Sequence, residues 1–229
     1  GAFLESKGIS LEGVRVMKDE FTASCTLITD KNNNQINGFH PAAMGFPCEY
    51  AFPHPDASAD WGIVSPGNLE DMRRLPRFFR ERGVRYIYDP GQQIPALSGD
   101  DLLDAITGSA LLVTNDYELE MISKATQRTR AELRALTGGV ITTLGEQGSV
   151  IDNGERGSVG IAAPKTVADP TGAGDSFFAG VAIGLTYGKT LEESCRIGTR
   201  LAASVICTSE NVCPRFRPAE FGLDVPVTD

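Results

Sequence analysis

Two glycines, an aspartate and several small residues come together at residues 169–180, and these types in this order suit phosphate chemistry. The run reads Asp169-Pro170-Thr171-Gly172-Ala173-Gly174-Asp175-Ser176-Phe177-Phe178-Ala179-Gly180. Gly172 and Gly174 can adopt backbone angles closed to other residues, so successive N–H groups of the turn can converge on one point. The apolar spacing of Phe177, Phe178, Val181, Ala182 and Leu185 predicts that a helix follows. Its N-terminus adds unpaired N–H groups and partial positive charge, which suits an anion. Asp175 stands at the mouth of that site, where a carboxylate can take a hydroxyl proton beside a bound phosphate. The plainer reading is a glycine turn entering a helix with Asp as a cap.

Two other phosphate motifs are excluded. A dinucleotide fingerprint needs a third glycine where this chain has Phe177, and a P-loop ending at Gly188-Lys189-Thr190 needs glycine where it has Ile183. Gly188 instead follows an apolar helix, where a terminating glycine is expected.

From Asp60 onward, apolar β-type segments alternate with helical patterns. The strands expected are Trp61–Ser65, Val84–Asp89, Ala110–Thr114 and Val140–Leu144. The helices expected are Leu69–Arg82, Ser98–Ile106, Tyr117–Ser123 and Arg130–Leu136. Pro76 should kink or shorten the first of these. Ser98 and Asp101 have capping-box spacing. Such alternation predicts an α/β fold with a mostly parallel, doubly wound sheet and helices on both faces. Ser149–Asp152 and Ser158–Ile161 flank Asn153-Gly154, a hairpin signal. A last helix is expected over Leu191–Ile206, facing inward through Leu201 and Val205. Earlier in the chain, Thr22–Thr29 and Gln35–His40 read as a hairpin around the polar turn Asp30–Asn34, apart from the parallel sheet.

In a doubly wound sheet, ligands bind beyond the carboxyl ends of the strands. Here those ends read Ser65-Pro66-Gly67-Asn68, Asp89-Pro90-Gly91-Gln92, Asn115-Asp116 and Gly145-Glu146. With the turn at Asp169, they point to one shared cleft. Asn115 and Glu118, three apart at a helix start, share a face and read as a helix cap with a first-turn acid.

The chain has 229 residues and 41% hydrophobic content, enough for one sizeable core. A net charge of −9 argues against nucleic acid or an anionic membrane as partner. Five scattered cysteines without a CxxC pair read as reduced thiols of a cytoplasmic protein. No apolar run approaches the roughly 18 residues of a membrane span.

The 169–180 run resembles the second signature of the PfkB, or ribokinase-like, carbohydrate kinase family. Asn115-Asp116-Tyr117-Glu118 resembles that family's Asn-x-x-Glu motif, and Thr142–Ser149 its nucleotide-binding segment. The resemblance covers Phe21 to the C-terminus. Trp61–Asn68, Tyr86–Leu103 and Asn115–Ile122 look most like the prokaryotic nucleoside and adenosine kinases within it. It implies a ribokinase-like domain over 1–229 with a small β lid, of which 21–40 is a hairpin, and transfer of the ATP γ-phosphate to a primary alcohol. The leading acceptor is a nucleoside, adenosine-like. A simple sugar of the ribose or fructose type, or nucleotide binding without turnover, is the alternative.

The same resemblance makes Asp175 the base and the N–H groups of Gly172, Ala173 and Gly174 an anion hole. It assigns Mg²⁺ to Asn115 and Glu118 through water, since Mg²⁺ dehydrates reluctantly. ATP falls to Thr143, Gly145, Gly148 and Asn211, although Thr208-Ser209-Glu210-Asn211 departs from the glycine common there. A monovalent cation such as K⁺ and a lid-to-lid homodimer are compatible with it. Family members carry about 70 further residues ahead of this chain's first, a span well within one domain. These hold the first strands and a Gly-Gly-Asn acceptor motif, so part of the lid is absent and the expectation is a segment of a longer enzyme.

Overall fold

The computed structural model describes residues 1–29, 35–53, 55–169, 171–208 and 217–223. Its elements are α1 (Ala2–Glu5), β1 (Ser24–Thr29), β2 (Gln35–His40), β3 (Trp61–Val64), α2 (Leu69–Glu81), β4 (Arg85–Tyr88), α3 (Gly99–Ile106) and β5 (Leu111–Asn115). Then follow α4 (Asp116–Thr126), α5 (Arg130–Leu136), β6 (Val140–Thr143), β7 (Ser149–Asp152), β8 (Arg156–Val159), α6 (Ala173–Thr186) and α7 (Leu191–Val205).

Six strands form the main sheet in sequential order, β3-β4-β5-β6-β7-β8. β3 to β6 are parallel, and β7 and β8 complete the sheet as antiparallel neighbours. Alternation along each central strand feeds two cores. Tyr86, Tyr88, Leu112 and Val140 point to one, with side chains of α2, α3, α4 and α5. Ile87, Leu111, Val113 and Ile141 point to the other, under α6 and α7. Because consecutive parallel strands step in one direction, their crossover helices gather on one face. The C-terminal helix pair covers the second.

α6 and α7 interlock closely. A Cβ built on Gly180 would stand 2.5 Å from Gly198 Cα, so only glycine permits that crossing. The β1–β2 hairpin is antiparallel and separate from the main sheet. Its expected turn, Asp30–Asn34, lies outside the described residues.

Pro76 does not shorten α2, which runs unbroken to Glu81. The ring lies on the buried face with Met72 and Phe79, and that packing offsets the lost N–H donor. The second hairpin strand falls at Arg156–Val159 instead of Ser158–Ile161. Asp152 pairs with Arg156 around a three-residue turn, in which Gly154 takes a φ of 110°, and this moves the strand two residues forward. No helix among the described residues is long and apolar enough to cross a membrane.

Candidate active site

Among the described residues, the helices of seven residues or more have starts closed by side chains, α6 excepted. Asn68, Ser98, Asn115, Thr129 and Thr190 each accept from first-turn amides of α2, α3, α4, α5 and α7. α6 has Gly172 as its N-cap and no side-chain cap. Gly172 sits at φ 82° and ψ 0°, a left-handed conformation that suits glycine and turns the following amides outward. Ahead of it, Asp169 Oδ1 accepts from Thr171 N at 2.8 Å and shapes the turn. The Thr171 hydroxyl and amide together hold the Asp169 carboxyl below its ordinary pKa. The first amides of α6 therefore remain available to a ligand, with the helix dipole behind them.

Asp175, in the first turn of α6, borders a cleft of about 300 Å³. Across that cleft stand Asp89 and Gln92 from the end of β4, Asn115 and Glu118 from the start of α4, and Ser65 from the end of β3. Of the strand ends expected to share one cleft, those at Ser65, Asp89 and Asn115 meet here with Asp175, whereas Gly145 lies in an adjoining cavity. Asn115 and Glu118 do form the cap: Asn115 Oδ1 accepts from Glu118 N at 2.8 Å, and Glu118 Oε2 accepts from Asn115 N at 2.8 Å. The box leaves the second Glu118 oxygen without a hydrogen bond among the described residues.

Asp89, which the sequence placed on the rim of the cleft, is the residue whose role sequence reasoning missed. Burial comes first in pushing its carboxyl up to about 7, and the negative fields of Glu118 and Asp175 add to it. A hydrogen bond from the Gly91 amide acts in the opposite direction. The only signal in the sequence was a strand ending in Asp-Pro-Gly-Gln. Three acids thus border one cleft, and such crowding raises whichever is least hydrated.

Among the described residues, no group of three or more His, Cys, Asp or Glu side chains is arranged to hold a metal ion alone. The donors that do border the cleft are hard oxygens, which fit Mg²⁺ retaining several waters and completing its shell on phosphate oxygens.

A second cavity, about 170 Å³, opens beside the first. The predicted Thr143, Gly145 and Gly148 line it together with Ala173 and Gly174. Gly148 takes a φ of 85° with its Cα packed against the Val159 carbonyl, so the β6–β7 turn passes close to β8. Thr199 of α7, not anticipated, lines the same cavity, and its hydroxyl accepts from Ala162 N at 3.0 Å. Asn211 lies outside the described residues. Thr143, Gly174 and Phe177 border both cavities, so the two meet at the start of α6.

Three larger hollows, about 540, 510 and 450 Å³, lie beside the N-terminal segment, along β3 and between α3 and α5. None brings acids to the start of α6, although the first shares the 65–68 loop with the cleft through Gly67 and Asn68.

The sequence profile of the pfkB family carbohydrate kinases matches residues 2–214. A nucleoside kinase of Methanothermobacter thermautotrophicus is 28% identical over 205 residues, which span 89% of this chain and 66% of that protein. The structure of Burkholderia thailandensis nucleoside kinase in complex with ADP-inosine superposes with a TM-score of 0.84 at 28% identity, over 96% of this chain and 69% of that one. Nucleoside kinase of Methanocaldococcus jannaschii, an archaeal member of the ribokinase family, gives 0.80 at 26%, over 91% and 69%. The chain thus spans about two thirds of the length of these relatives.

Proposed function

Because this chain belongs to the pfkB family of carbohydrate kinases, we propose that it carries the catalytic site of an ATP-dependent nucleoside kinase. The observation behind this reading is the meeting of two cavities at an uncapped helix start with a carboxylate in its first turn. ATP would occupy the smaller cavity along Thr143, Gly145 and Gly148, and Asn211 belongs to the same assignment. The acceptor would enter the larger cleft from the side of Ser65, Asp89 and Gln92. The γ-phosphoryl group would then lie at their junction.

Phosphoryl transfer asks little covalent chemistry of a protein; it asks for alignment and stabilised charge. Asp175 accepts the proton of the attacking primary hydroxyl. The amides of Gly172, Ala173 and Gly174 face the equatorial oxygens, where one lost donor typically costs about 3 kcal/mol of barrier. Asn115 and Glu118 would hold Mg²⁺ through water, and the ion, when bound, neutralises phosphate charge. Asp89, neutral below about pH 7, can donate a hydrogen bond to an acceptor hydroxyl, which an ionised carboxylate cannot.

Nucleosides are favoured over free sugars because the relatives spanning about nine tenths of this chain include nucleoside kinases, one solved with ADP-inosine. The β1–β2 hairpin fits a lid. It exposes Leu27, Ile28, Ile36 and Phe39, and pairing of two such hairpins would give a homodimer. A cytoplasmic location accords with the ATP requirement.

The test is ADP release by the full-length gene product with adenosine, inosine, ribose and fructose. Saturable turnover with a nucleoside and none with the sugars is expected. Turnover with free sugars alone would reassign the acceptor. ATP binding measured by calorimetry without any turnover would favour a binding protein.

A further inference from the structure

At the foot of the sheet, remote from the cleft, three arginines gather near one carboxylate, Asp152, and only Arg134 lies within ion-pair distance of it. Val140, Asp152 and Arg156 stand in register across β6, β7 and β8, so their side chains leave the same face. Val140 belongs to the core beneath α2–α5, which places Asp152 and Arg156 on the side that α5 covers. Arg130 and Arg134 of α5 are four apart and share a helix face. Arg134 Nη1 donates to the Thr137 carbonyl at 2.7 Å, and its Nε lies 3.5 Å from Asp152 Oδ1.

Arg130 has no such arrangement. Its Nε and Nη2 are buried and lack any hydrogen-bond partner among the described residues. Burial, and then the field of Arg156, disfavour its charge, with Asp152 the only opposing influence. Three positive groups against one negative leave a local excess of two charges in a chain whose net charge is −9. Buried guanidinium donors without partners are costly and rare in native proteins. Arg156, by contrast, is exposed and gives solvent access to the group.

We propose that Arg130, Arg134 and Arg156 form a binding site for a small phosphate-type oxyanion between α5 and the β7–β8 hairpin. Two charges match the excess, and oxygens in a tetrahedral array match guanidinium forks, which chloride cannot do. The proposal is independent of the cleft chemistry.

The test uses the whole chain, with inorganic phosphate against chloride at equal ionic strength, read by thermal melting and calorimetry. Phosphate should raise Tm, and Arg156→Gln should weaken its binding by at least about tenfold, the loss expected of one charged hydrogen bond. Arg130→Met should melt higher than the parent in chloride, because it removes buried donors that lack partners. In phosphate it should lose the anion's stabilising shift. Phosphate binding unaltered in both variants would place the anion elsewhere and overturn the proposal. So would Arg130→Met melting below the parent in chloride, since the guanidinium would then have a partner within the fold.

Discussion

The starts of α4 and α6 border the same cleft, yet they treat their first amides in opposite ways. At α4, Asn115 and Glu118 satisfy each other's backbone donors at 2.8 Å in both directions. At α6, a glycine in the left-handed region replaces the cap, and no side-chain cap bond forms among the described residues. Both helices carry an acid in the first turn, Glu118 and Asp175. The acid of α4 is partly occupied by its own backbone, whereas that of α6 is exposed at the cleft. A closed start positions groups; an open start receives them. Local sequence already separates the two, since a two-glycine turn enters α6 whereas an asparagine with cap spacing enters α4.

That contrast is sharpest at Asp175. Asp175→Asn should lower kcat by at least about a thousandfold while ATP affinity changes by less than about twofold, because it removes a base and leaves the amides in place. Steady-state kinetics and calorimetry check the two halves. Full turnover in this variant would remove the distinction between the helix starts.

Asp89 borders the same cleft, and burial first, then the fields of Glu118 and Asp175, hold its proton. Its folded pKa of about 7 exceeds the ordinary 3.8, so the folded state holds the proton more tightly between those values. Stability must therefore fall as pH rises through that window. Asp89→Asn should relieve roughly 2–4 kcal/mol of that loss at pH 8 and almost none at pH 4. Urea melts at the two pH values would show it, and equal gains at both would mean that Asp89 is not held neutral.

The smallest effects belong to α4. Asn115→Ala should cost about 1 kcal/mol of stability through loss of its cap, measured by chemical denaturation. Glu118→Gln should raise the Mg²⁺ concentration needed for half-maximal turnover. An unchanged Mg²⁺ titration would leave Glu118 with capping alone.

Much of the scaffold could be read along the chain because local chemistry and tertiary role coincide there. Caps at Ser98 and Asn115 and the glycine stop at Gly188 mark boundaries that the structure places within a few residues. Gly188 takes a φ of 69° at the end of α6. Pro76 misled because the penalty of a proline is local, whereas its compensation lies in the core that α2 packs against. Helices on both faces were expected from the alternation, but that α6 and α7 in particular cover the second face depends on strand order and could not be read locally. Of the site, Asp175 and the glycines were legible as a contiguous run. Asp89 was not, because its character comes from burial and from two acids more than twenty residues away in sequence.

The crossing of α6 over α7 places a mechanical constraint on chemistry at the far end of the helix. Gly180 lies eight residues past Gly172, or roughly 12 Å at the rise of an α-helix, and the Gly198 backbone leaves no room there for even a methyl group. A bulkier residue at either glycine would lever α6 off its neighbour and tilt the open amides of its first turn with it. On the function proposed above, such a variant would bind both substrates and still fail to bring them into line.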